Sequence, residues 1–153
     1  CFDDNSQLNL QASQKTGWMV PGDGKGLTLC DANLDGWPDL AVAQNNDRLL
    51  LFENQAGGKH QPLCIALKGT QGNPHGVGAQ LSIVQKGHKG ALHEIYAGGG
   101  YLSQSTPRIY VQHPENGFEV EVRWPDGSRS EHAFSKATEN LITLAHPGLS
   151  LQP

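Results

Sequence analysis

The sequence predicts an all-β fold, and three observations carry that reading. No window of helical length keeps its apolar residues at the 3.6-residue period. Short alternating or apolar runs recur along the chain instead, at a spacing of about ten residues. Each run is bounded by Gly, Pro, Asn or Asp, and the 153 residues include 19 Gly and 9 Pro.

Taken in order, strands are expected at Leu27–Cys30, Asp39–Ala43 and Arg48–Phe52, where LTLC, DLAVA and RLLLF carry the apolar positions. Asn45-Asn46-Asp47 forms the hairpin turn between the last two, because Asn and Asp tolerate positive φ. Leu63–Lys68 is an apolar run and Gln80–Val84 alternates after a glycine-rich entry. His93–Tyr96, Arg108–Val111, Glu119–Trp124, Glu131–Phe134 and Leu141–Leu144 follow. Ala56-Gly57-Gly58-Lys59 reads as a linker, dividing the chain into 1–58 and 59–153. The strands after it alternate more cleanly, as in a β-sandwich or barrel. In RLLLFEN, Leu49 and Leu51 would face one side of a sheet, Leu50 and Phe52 the other. Such a strand wants cover on both faces. Residues 27–54 are therefore expected to pack on the second half or to pair with a partner copy, and the short linker favours the partner copy.

The formal charge is −4, and the 11 Lys and Arg are scattered, which argues against a nucleic-acid surface. A membrane-spanning helix needs roughly 20 consecutive apolar residues, and no run approaches that. The three cysteines, Cys1, Cys30 and Cys64, form no CxxC pair. Cys30 and Cys64 lie in apolar runs and are expected to be reduced and buried. A chain that starts on Cys1 reads as a processed product or an excised piece, and a lipoprotein anchor through Cys1 is the alternative. Chemistry is sparse. Ser103 does not sit in a G-x-S-x-G elbow. The seven histidines (60, 75, 88, 93, 113, 132 and 146) form no zinc pair and are expected on the solvated surface. No catalytic residue is predicted.

DANLDGWPDL, residues 31 to 40, is the segment with a chemical demand. Asp31, Asn33 and Asp35 place oxygen donors at positions 1, 3 and 5 of a loop, and Gly36 permits the sharp turn. Trp37 offers a backbone carbonyl and Asp39 closes the set. This is how a short loop wraps oxygen around Ca²⁺. An EF-hand would carry Glu at position 12, where this chain has Val42, and its flanks would be helical. The metal-free alternative is an Asx-rich turn satisfying its own backbone.

Residues 21–54, PGDGKGLTLCDANLDGWPDLAVAQNNDRLLLFEN, resemble the FG-GAP or VCBS-type repeat of calcium-binding β-propellers. That resemblance implies one propeller-type blade, or its remnant, with a structural metal. PLCIALKGTQGNPHGVGAQLSIV, EIYAGGGYLSQS and VEVRWPDGSRSEHAF are similar to the ASPIC/UnbV C-terminal domain. Two departures stand out: Asn73-Pro74-His75 replaces the Asn-Arg of the family motif, and YVQHPENG replaces F-G-L-G. Tyr101, Ser103, Gln104 and Ser105 form a polar and aromatic stretch that could line a ligand-facing loop. The expected function is a non-enzymatic, calcium-stabilised binding or adhesion module. It would be the C-terminal part of a larger secreted protein, extracellular or periplasmic, meeting protein or carbohydrate at the cell surface, with self-association possible. One alternative is the structural protomer of a fibre or surface assembly. Another is an accessory or hydrolase module acting on carbohydrate, which would need two titratable groups converging near Tyr101 or Trp124.

Overall fold

The computed structural model describes residues 19–55, 61–114, 116–135 and 140–149; Cys1 and the expected linker at 56–59 lie outside them. The described residues form ten strands: β1 (Gly24–Cys30), β2 (Asp39–Gln44), β3 (Leu50–Phe52), β4 (Pro62–Lys68), β5 (Gln80–Gln85), β6 (His88–Glu94), β7 (Arg108–Gln112), β8 (Phe118–Arg123), β9 (Arg129–Phe134) and β10 (Leu141–Ala145). They make three small sheets, ordered β1-β2-β3, β10-β4-β7 and β6-β5-β8-β9. The architecture is all-β.

Two of these sheets share one core. Leu63, Ile65 and Leu67 of β4 and Leu144 of β10 meet Leu81 of β5 and Phe118, Val120 and Val122 of β8, with Ala79, Ile95 and Trp124 filling between them. The alternation of FEVEVR dictates its side of this core: Phe118, Val120 and Val122 are buried, and the glutamates between them turn away. Every pair in these sheets is antiparallel except β10 with β4, which runs parallel. Strand β4 is covered on both faces, with Cys64 buried beside Leu63 and Ile65. That is why its sequence is a continuous apolar run rather than an alternation.

The β5–β6 hairpin departs from the sequence expectation, which started its second strand at His93. Lys86 (φ 51°) and Gly87 (φ 76°) turn the chain in two residues with both φ positive, so β6 begins at His88. A register shift between Ser82 and Val84 then breaks the alternation in HKGALHE that would have marked the strand. The β2–β3 turn carries its positive φ at Asn46 (57°), inside the expected tip.

Sheet β1-β2-β3 is small, and its register lines Leu27, Leu29, Leu40, Val42, Leu50 and Phe52 on one face. The outer edge of β1 is not open. Thr106 N donates to Leu29 O at 3.1 Å and Leu29 N donates to Ser105 Oγ at 3.1 Å. Thr28 Oγ1 donates to Gln104 O at 2.6 Å, and Asn140 Nδ2 donates to Asp35 O at 3.2 Å. Of the two arrangements expected for residues 27–54, packing on the second half is therefore met within one chain. Leu50 and Phe52 are half-buried, whereas Leu49 and Leu51 stay exposed.

Candidate functional site

The acidic loop is built by short side-chain-to-backbone bonds. Asp31 Oδ2 accepts from Gly36 N at 3.1 Å, Asn33 Oδ1 from Asp35 N at 3.1 Å, and Asp35 Oδ1 from Trp37 N at 2.8 Å. These bonds hold a tight turn that passes through positive φ at Leu34 (61°) and Gly36 (89°). Asp39, 1% exposed, has Oδ2 accepting from Ala32 N at 2.9 Å and Oδ1 from Asn54 N at 2.8 Å. It ties the start of the loop, at Ala32, to its end and to the segment just after β3. A fourth carboxylate, missed in the sequence reading, stands beside the loop: Asn33 Nδ2 donates to Glu53 Oε1 at 3.1 Å. Pairing of β2 with β3 delivers Glu53 and Asn54 there, and no local motif marks them.

Among the described residues, no group of three or more His, Cys, Asp or Glu side chains is gathered as a metal cluster. One atom bears directly on whether a cation fits. Asp31 Oδ1 is buried and has no hydrogen-bond partner. Leaving a carboxylate oxygen dry and unpaired is costly, and a cation would relieve it. The remaining donors are hard oxygens, the type Ca²⁺ takes. Asp31 Oδ1 thus calls for a cation by its chemistry, whereas Asn33 Oδ1, both Asp35 oxygens and both Asp39 oxygens already accept hydrogen bonds in or beside the loop.

The loop also touches the second half. A Cβ added at Gly36 would lie 3.0 Å from both Asn140 and Pro62, so the turn is seated on the β10–β4 sheet. Burial, the largest influence, pushes the Cys64 thiol above its usual range, and the negative charge of Asp31 adds to that; Arg108 acts in the opposite sense. Cys30 and Cys64 are both free thiols, as expected, but Cys30 is half-buried rather than buried.

A cleft of about 560 Å³ lies along β1, where the sheet meets the segment around residues 95–109. Leu27, Leu29, Val42 and Ile109 supply apolar wall, and Tyr101, Ser103 and Ser105 line it as well. Tyr96 and Tyr101, which also line it, are 64% and 77% exposed. Gln104 turns its carbonyl to Thr28 and so helps to fix the seam beneath the cleft. Gly98, with φ 69°, has open space around it and lets the chain turn into this segment.

Two histidines overturn the expectation of a solvated surface, since His113 and His146 are buried. His146 Nε2 lies 3.0 Å from Asp126 Oδ2 and 3.1 Å from Ser128 Oγ, and Ser128 Oγ donates to Asp126 Oδ1 at 2.7 Å. This gathers Ser, His and Asp, yet the wiring opposes nucleophilic catalysis. Gly148 N donates to His146 Nδ1 at 3.0 Å, so Nδ1 is an acceptor and the neutral ring carries its proton on Nε2. A ring in that state cannot take the Ser128 proton. In a working triad the serine and the carboxylate occupy opposite ring nitrogens; here they share one. The cluster pins the Trp124–Ser128 turn to the end of β10. Asp126 is held below the usual carboxylate range, first by the Ser128 hydroxyl and backbone N–H and then by His146. Nothing in the sequence signals this cluster, because His146 reaches the turn through the fold, 18 and 20 residues from its partners.

The motif residues of the second half have structural roles. Asn73 clamps its loop in both directions, donating from Nδ2 to Val77 O and accepting at Oδ1 from Val77 N, each at 2.8 Å. Gly76, at φ 65°, sits against Leu67 and Trp124. Trp124 Nε1 donates to Ser130 Oγ at 3.0 Å, so the buried indole has its partner.

Compared with known protein families, residues 69–148 match the family model described as ASPIC and UnbV. No curated protein and no solved structure matches the chain. The matched span begins beyond the acidic loop, so the resemblance of residues 21–54 to a propeller repeat rests on those residues alone. No helix among the described residues is long and apolar enough to cross a membrane.

Proposed function

The chain belongs to the ASPIC and UnbV family, and we propose that it is a non-enzymatic, calcium-stabilised binding module working in an extracellular or periplasmic setting. Its first half is read as a propeller-type blade or its remnant, and its second half as a β-sandwich. Calcium is held by Asp31, Asn33, Asp35 and Asp39 with the Trp37 carbonyl. Asp39 serves as a donor as well as a clamp, because a carboxylate keeps lone pairs beyond two backbone bonds. A bound cation neutralises the loop and stiffens its seat on the β10–β4 sheet; its role is structural.

The observation that carries the binding assignment is the cleft along β1. Two exposed tyrosines beside an apolar wall and a hydroxyl-bearing rim suit a protein or carbohydrate surface, since tyrosine offers broad contact area with few rotors to freeze. The wiring of His146 supports the non-enzymatic part, because the Ser128 cluster has no free base. The test is a panel of immobilised glycans and extracellular proteins probed with the chain and with Tyr101→Ala. A bound partner released by Tyr101→Ala at unchanged melting temperature is expected. Binding that ignores Tyr101, or serine-dependent turnover of an ester or glycoside substrate abolished by Ser128→Ala, would overturn the reading.

A further inference from the structure

Sheet β6-β5-β8-β9 ends on β9, and among the described residues no strand other than β8 pairs with it. The direction of its free backbone groups follows from the hairpin. Trp124 N donates to Ser128 O at 2.9 Å. Bonded and non-bonded pairs alternate along an antiparallel ladder, so Val122↔Ser130 and Val120↔His132 are the bonded pairs and Ser130 and His132 face β8. The N–H and C=O groups of Arg129, Glu131 and Ala133 therefore point out of the open edge, and all three residues are exposed.

The polar face of this hairpin is oddly charged. Arg123 stands opposite Arg129, and Glu121 opposite Glu131. Like charges directly opposite each other on a sheet destabilise it. Lys89 pairs with Glu121, whereas Arg123, Arg129 and Glu131 form no ion pair among the described residues.

We propose that β9 is a self-recognition edge, at which a second copy of this chain adds its own β9 antiparallel about a two-fold axis through Ser130. Two-fold registers in which residues 129, 131 and 133 meet with more than a single residue facing its own copy are centred on residue 130, 131 or 132. Centring on 131 sets Glu131 against its own copy, and centring on 132 sets Glu131 against Ala133. Centring on 130 sets Arg129 against Glu131 of the partner subunit, and by symmetry the reverse. Each of these pairs also exchanges backbone bonds, because both residues point theirs outward. The arginine pair of one copy then continues into the glutamate pair of the other, in both rows. The two four-stranded sheets become one, and the charge pattern that is unfavourable within a chain becomes complementary between chains.

The experiment is a dilution series of the full chain by sedimentation velocity, comparing wild type, Arg129→Glu, Glu131→Arg and the double reversal. A concentration-dependent dimer is expected, weakened roughly tenfold or more by either single reversal, since each turns two attractive contacts repulsive. The double reversal restores opposite charges and should return to within about threefold of wild type. Matching far-ultraviolet spectra check that the variants fold. A strict monomer up to about millimolar concentration, a dimer indifferent to Arg129→Glu, or a double reversal as weak as the singles overturns the proposal. A dimer lost instead on Leu29→Lys would place association on the exposed face of β1 and overturn it equally.

Discussion

Asp31 uses one carboxylate oxygen to hold the turn at Gly36 and leaves the other buried without a partner. Removing calcium should therefore lower the melting temperature. A ligand present at 100 times its dissociation constant adds about 2.7 kcal/mol, or roughly 5–10 °C for a chain of this size. Scanning calorimetry in millimolar calcium against chelator makes the check; identical transitions would sink the calcium assignment. Asp35→Ala should reproduce the chelator effect in calcium. The two described thiols should separate by burial, with Cys64 reacting slowly in native protein and Cys30 faster. Burial raises the Cys64 pKa in the folded state. Its contribution to stability is thus present below the unfolded thiol pKa, about 8.5, and is lost as pH rises through the folded value. His132 has the opposite sign: burial lowers its pKa. Stability should fall as pH drops below the unfolded value of about 6.5, and His132→Gln should flatten that slope in urea melts read from pH 8 to pH 5.

Strands and turns show where glycine is required and where it is incidental. A Cβ at Gly76 would meet Leu67 at 3.1 Å and Trp124 at 3.2 Å, on a backbone at φ 65°. Gly76→Ala should cost about 2–4 kcal/mol, from strain together with displacement of the core. Gly72 has nothing within 4 Å and no positive φ. Gly72→Ala should be neutral or stabilising by up to about 1 kcal/mol, through the unfolded chain. Equal denaturation midpoints for the two variants would contradict this account of the GTQGNPHGVGA segment. The alternating strands, FEVEVR above all, were legible because one face is buried and one is wet. Only the end of strand β6, at His93 and Glu94, was legible, since a two-residue turn at Lys86-Gly87 and a bulge remove the periodicity that would betray its start.

The three-stranded sheet depends on the rest of the chain. Its β1 edge is bonded to Ser105 and Thr106, its loop is seated on Pro62 and Asn140, and three strands alone offer little core. With calcium present, the two halves should unfold in one transition. Chelation should loosen the seam first, so hydrogen exchange at the Leu29 amide, which donates to Ser105, should accelerate before that at the Ile65 amide. Equal acceleration at both amides, or none at Leu29, would show that the acidic loop does not govern the junction.

The all-β class, the hairpin at Asn46, the strand that became β8 and the tight oxygen-rich turn could be read from the amino-acid sequence. Each of these depends on neighbours two to eight positions apart, and local sterics and alternation decide them. The tertiary structure decided what arrives from a distance. The parallel pairing of β10 with β4, the delivery of Glu53 to the acidic loop and the burial of His146 under Asp126 and Ser128 are examples. So is the sealing of β1 by residues 104–106. No periodicity encodes such meetings, because they form when separate sheets bury their apolar faces together and carry their polar edges along.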